Sequence, residues 1–172
     1  MIYQLGPGDG TLSVRTRRTG TVAKAGHDLL IHVSKWTGTL ETGDEPSVTL
    51  DADATSLKVR EGTGGMMALD DGDLANIEQT IDDEVLKRQD ISFRSTRVEE
   101  TADGLSVTGD LTIRGTARPV AFDLSLADGR VRGTAVLKQT EWGIKPYTAL
   151  FGALKVADEV RVEIDAALDQ SR

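Results

Sequence analysis

The two histidines, His27 and His32, are where acid–base or metal chemistry near neutral pH would first be sought. They stand five positions apart and fall on opposite faces if both lie in one continuous strand, because strand side chains alternate. On that reading they share no metal ion. Each is a hydrogen-bonded structural histidine, with Asp28 placed to orient the His27 ring; a bulge between them would change the parity. Nucleophilic catalysis has no better footing, since the chain holds no cysteine and no Gly-x-Ser-x-Gly elbow. The Gly62-Thr63-Gly64-Gly65 cluster lacks the Gly-Lys-Ser/Thr ending of a phosphate loop and reads as a hinge. Asp51, Asp53, Asp110 and Asp123 sit among polar-parity residues and read as a solvated face, although a pair of carboxylates brought together from loops stays open. The expectation is a protein that is not an enzyme, with no catalytic residue, no metal and no cofactor.

A second group of residues suits binding rather than reaction. Trp142, Tyr147 and Phe151 gather between Thr140 and Leu154, outside any clean strand. Two readings stand: a loop that closes one end of the core, or a ligand-mouth loop, since apolar pockets use aromatics with a few polar groups to orient what they hold. Trp36 is open in the same way, as a core residue or as part of that rim.

The elements that must position these residues announce themselves by a period of two. Leu12, Val14 and Thr16 alternate with Ser13, Arg15 and Arg17, and Val48, Leu50, Ala52 and Ala54 with Thr49, Asp51, Asp53 and Thr55. Further runs follow at Ile91–Phe93, Leu105–Ile113, Val120–Leu126, Val131–Leu137 and Val160–Leu168, beside a long strand from Asp28 to Leu40. Thr101–Gly104, Arg114–Thr116 and Ala127–Gly129 supply glycine for tight reversals. About eight antiparallel strands with one apolar face each can pair as two sheets or close into a barrel. Long strands joined by short turns favour closure. Leu50, Phe93, Leu111, Ile113, Phe122, Leu124, Ala135, Leu137 and Ile164 then point inward. One segment, Asp73–Leu86, breaks the period: Leu74, Ile77, Ile81 and Val85 recur at helical spacing behind Asp73 as N-cap, and this amphipathic helix with the Glu61–Met67 loop is placed to cover a barrel mouth.

Bulk properties narrow the partners. A chain of 172 residues with 38% hydrophobic content suits one domain over 1–172. A net charge of −8 and a pI near 4.8 offer no basic field for a phosphate backbone, so nucleic acid is not an expected partner. The first ten residues carry no signal-peptide pattern, and no apolar run approaches the roughly 20 residues of a membrane span. Together with the absence of cysteine, this points to the cytoplasm.

The segments Ala25-Gly26-His27-Asp28, Ile91–Thr96, Gly109–Val120, Trp142-Gly143-Ile144 and Asp158–Val162, with Gly109–Val120 the most specific, together resemble the YceI-like family of lipid- or polyisoprenoid-binding proteins. The Glu61–Leu86 region departs from the common pattern. The resemblance implies an all-β, eight-stranded antiparallel lipocalin-like barrel with one short amphipathic helix, an elongated hydrophobic cavity, an apolar small molecule such as an isoprenoid or lipid as partner, and a homodimer. The ligand-binding residues expected are the nine inward positions above with Trp36, Trp142, Tyr147 and Phe151. A barrel filled by its own side chains would show the same alternation.

Overall fold

The structure is a computed structural model and describes residues 1–20, 27–63, 69–149 and 154–168. The strands are β1 (Ile2–Leu5), β2 (Gly10–Thr16), β3 (Arg18–Thr19), β4 (Asp28–Val33), β5 (Trp36–Glu41), β6 (Ser47–Ala52), β7 (Leu57–Thr63), β8 (Ile91–Glu100), β9 (Gly104–Ile113), β10 (Thr116–Ala127), β11 (Arg130–Lys138), β12 (Thr148–Ala149), β13 (Leu154–Val156) and β14 (Glu159–Ala167). Eleven of them form one antiparallel sheet in the order β1-β5-β6-β8-β9-β10-β11-β14-β2-β4-β7, and β12, β13 and β3 form a small second sheet. The large sheet curls into a half-barrel.

The all-β antiparallel class agrees with the alternation, but the count of eight strands is corrected to eleven. Three long runs bend and pair in two pieces. The Asp28–Leu40 strand breaks at Ser34-Lys35 into β4 and β5, and the run through Val48 turns at Ala54–Ser56 and continues as β7. The run through Leu12 gains β1 beyond the turn in which Asp9 donates its N–H to Gly6 O at 2.9 Å. The corners are stitched together: Ser34 N–H donates to Ser56 O at 2.8 Å and Asp53 N–H to Lys35 O at 3.0 Å. Register shifts at Leu30/Ile31 and at Ser95/Arg97 add local twist and so help the sheet to curl.

Two reversals are two-residue hairpin loops. Arg114 and Gly115 have φ of 54° and 76°, and Asp128 and Gly129 have 55° and 70°, the all-positive pattern that matches the right-handed twist of the flanking strands. Beside them Ile113 pairs with Thr116, and Ala127 with Arg130. Gly104 instead begins β9.

The helix α1 (Asp71–Thr80) continues into a single π-turn at Ile81–Val85, where Leu86 N–H reaches back to Ile81 O at 2.9 Å. The cap is Asp70, not Asp73. Asp73 N–H donates to Asp70 Oδ1 at 2.8 Å while Asp70 N–H donates to Asp73 Oδ2 at 3.1 Å, a reciprocal box in which Asp73 is the third helical residue. Leu74, Ile77, Ile81 and Val85 pack against the core as partly buried side chains. Val59 N–H of β7 donates to Glu78 Oε2 at 3.4 Å, which ties the helix to that edge of the sheet. Leu40, Leu105, Val107 and Val131 are the largest fully buried side chains of the core.

Candidate functional site

The inward faces of the curled sheet do not fill the space between them. They enclose a cavity of about 590 Å³, within the few-hundred to roughly 1,000 Å³ range of small-molecule sites. Alternation explains its wall strand by strand: Leu12 and Val14 come from β2, Leu29 and Ile31 from β4, Val48 and Leu50 from β6, and Phe93 from β8. Leu111 and Ile113 come from β9 and Phe122 and Leu124 from β10, and Ala135, Leu137, Val162 and Ile164 complete the circuit from β11 and β14. The helix supplies the roof through Ile77, Ile81 and Val85.

Several contacts hold this wall. The rings of Phe93 and Phe122 lie with centroids 5.3 Å apart and planes tilted by 55°, a geometry that aligns ring edge with ring face. Gly109 makes room for them, because a Cβ there would stand 2.5 Å from Phe93 Cζ and 2.4 Å from Arg94 O. Trp142 is buried and donates its indole N–H to Leu111 O at 2.8 Å, so its ring is fixed as part of the wall. The turn that carries it is pinned by Asp158, which accepts from Thr140 N–H at 2.9 Å and from Thr140 Oγ1 at 2.7 Å. These two hydrogen bonds hold the Asp158 carboxyl below the usual carboxylate range.

Of the thirteen expected ligand-binding residues, Leu50, Phe93, Leu111, Ile113, Phe122, Leu124, Ala135, Leu137, Trp142, Tyr147 and Ile164 line this cavity. Trp36 does not: it is buried in the core opposite Ala52, which agrees with the core alternative for this residue and not with its place among the ligand-binding residues. The break at Ser34-Lys35 shifts the inward parity from odd to even, so Trp36, Gly38 and Leu40 follow Leu29, Ile31 and Val33. Phe151 lies outside the described residues. His27 lines the cavity, whereas the half-buried His32 sits outside it between Ser13 and Lys58. Burial first and the charge of Arg60 second push the His32 pKa down. Asp28 Oδ1 accepts from Arg18 N–H at 2.8 Å.

Polar side chains also line the cavity, among them Arg18, His27, Asn76, Thr80 and Gln139. His27 and Gln139 are polar residues of interior parity in the sequence, whereas sequence reasoning passed over Arg18, Asn76 and Thr80. The register carries a signal for three of the five. Arg18 lies two residues beyond Thr16, Gln139 two beyond Leu137, and His27 two before Leu29, so each extends an inward register one step past the regular alternation. Among the described residues no group of three or more His, Asp or Glu side chains is placed to hold a metal ion, and no helix is long and apolar enough to cross a membrane.

The fold is shared with solved structures. BcnA of Burkholderia cenocepacia superposes with a TM-score of 0.62 at 16% identity, over 92% of this chain and 96% of that one. The YceI protein of Campylobacter jejuni superposes with a TM-score of 0.61 at 12% identity, over 83% of this chain and 85% of that one. No curated protein sequence matches. The family model described as YceI-like domain matches residues 3–168, and the chain therefore belongs to the YceI-like family.

Proposed function

We propose that the protein binds and carries or stores a long apolar molecule, such as a polyisoprenoid, a quinone tail or a fatty acyl chain, inside the half-barrel, and that it is not an enzyme. The observation that carries this is the 590 Å³ cavity with aliphatic and aromatic walls, where a packed core would leave few voids larger than a water molecule. Removing apolar surface from water gives roughly 25 cal/mol per Å², so a chain laid along Leu50, Phe93, Leu111, Phe122 and Ile164 needs few polar contacts. Membership of a family thought to bind hydrophobic ligands supports the same reading. A cytoplasmic location and a homodimer belong to the proposal. The cysteine-free composition supports the location, and fractionation together with sedimentation reads both.

The test is native mass spectrometry, with organic extraction, of protein purified from its own source. A co-purifying apolar molecule names the ligand. Bare polypeptide mass in repeated preparations, with no uptake of uncharged apolar dyes, overturns the proposal in favour of a half-barrel that binds nothing.

A further inference from the structure

We infer that the cavity takes an amphiphile whose anionic head, a carboxylate or a phosphate, sits at the rim against Arg18, with His27 and Gln139 beside it. This rests on the carrier reading above and adds to it the chemistry of the head.

The charge distribution is the first observation. The chain has 28 Asp and Glu against 20 Lys and Arg, yet among the described residues no carboxylate lines the cavity and the one permanently charged side chain that does is Arg18. The cavity's sign is thus opposite to that of the molecule as a whole. Asp28, the nearest carboxylate in sequence to His27, lines the outer groove with Arg15, Arg17 and Glu61 and accepts from the Arg18 backbone.

The second observation is that these polar groups converge. Arg18 pairs with Val156 in the small sheet, and Val156 N–H donates to Tyr147 O at 2.9 Å. Gln139 Nε2 donates to Ala157 O at 3.1 Å, and Ala157 N–H donates to Arg17 O at 2.7 Å. Arg18, Gln139 and Tyr147 are therefore held at one end of the cavity by a continuous hydrogen-bonded framework. Tyr147 lines the cavity while 51% exposed, which marks that end as the entrance. At the other end of β11 from Gln139 the lining residue Val131 is buried and apolar, as is Leu40. A ligand that satisfies both ends has a hydrocarbon tail and a head that accepts hydrogen bonds. Arginine offers five N–H donors in a planar fork, enough to serve a protein partner and a head at once, and it acts strongly where low-dielectric walls surround it.

The test is displacement of Nile red, an uncharged dye, from the full chain by hexadecanoate, hexadecyl phosphate and hexadecanol at mildly alkaline pH. At least one of the anions is expected to bind about tenfold or more tightly than the alcohol, the ratio that one charge-assisted hydrogen bond supplies. The tighter of the two anions identifies the head. Arg18→Gln is expected to bring the ratio below about threefold, and Arg18→Lys to preserve most of it. Equal affinity for alcohol and anions, or a preference that survives Arg18→Gln, overturns the inference and leaves the carrier reading standing. If no compound displaces the dye and the dye itself fails to bind, the carrier reading falls and the inference with it. Should Arg18→Gln fail to fold, as judged by its melting curve, the comparison of the three compounds on the parent decides alone.

Discussion

Trp142 donates its indole N–H to the carbonyl of Leu111 at 2.8 Å, and this one bond joins the turn after β11 to β9, two strands along the sheet. Trp142→Phe keeps most of the ring and deletes the donor, leaving a buried carbonyl without that partner. The expected cost is about 1–3 kcal/mol, read as a lower urea midpoint with an unchanged slope. A midpoint equal to the parent's would show that the bond contributes nothing net.

Ala135 distinguishes space held for a ligand from space that is packed. It lines the cavity between Gly133 and Leu137, so the ring in Ala135→Phe projects into open volume. Stability should change by less than about 1 kcal/mol, whereas overpacking a filled core costs roughly 1–3 kcal/mol. Uptake of an uncharged apolar dye should fall at the same time. Paired urea midpoints and dye titrations of parent and variant check this, and a large loss of stability with full dye binding would refute the placement of the ligand beside Ala135.

Gly109 makes the opposite case, a site with no room. A Cβ would meet Phe93 Cζ at 2.5 Å, Arg94 O at 2.4 Å and Ser95 Cα at 2.7 Å, and two of those three are backbone atoms that cannot rotate away. Gly109→Ala should cost about 1–3 kcal/mol or more and disturb the Phe93–Phe122 pair. Thermal melting shows the first effect, and loss of dye affinity beyond that of the parent at equal folded fraction shows the second.

Asp82 gives a pH dependence. Its Oδ1 is buried without a hydrogen-bond partner among the described residues. Burial raises its pKa against the opposing pull of Arg88 and Lys58, with Asp83 and Glu78 adding to the rise. A carboxyl whose folded pKa is raised binds more protons in the native state between its unfolded and folded values, so stability falls as pH rises through that window. The cost is absent below the unfolded aspartate pKa of about 3.9 and complete above the folded one. Asp82→Asn should therefore be more stable than the parent at neutral pH, by no more than about 0.5 kcal/mol because solvent screens this part-exposed carboxyl, and the difference should vanish at the acid end of the window. A gap between the two melting curves that stays constant across that range would contradict this account.

How much of this was legible in the sequence follows from where period-two alternation is clean. From Leu105 to Leu137 the strands alternate cleanly, and inward residues such as Leu111, Ile113, Phe122, Leu124, Ala135 and Leu137 fall on the cavity wall while Leu105 and Val107 fill the core. The Asp28–Leu40 run was harder to read, because the corner at Ser34-Lys35 changes parity inside a stretch that reads as continuous, and the sequence therefore left Trp36 open between core and rim. β1 has four residues, too few to show a period, and β7 alternates only to Val59 before Arg60, Glu61 and Gly62 break the apolar series. The convergence of Arg18, His27 and Gln139 stayed hidden because they belong to separate stretches, and only the wrapping of the sheet brings those ends together.

The pairing of β14 with β2, in which Ala166 lies opposite Gly10, makes one stretch of the cavity wall depend on contact between segments far apart in the sequence. Pairings between such distant segments form slowly during folding. Until β14 joins β2, the inner faces of the other strands lack that neighbour, and their exposed apolar surface is the aggregation hazard of that interval.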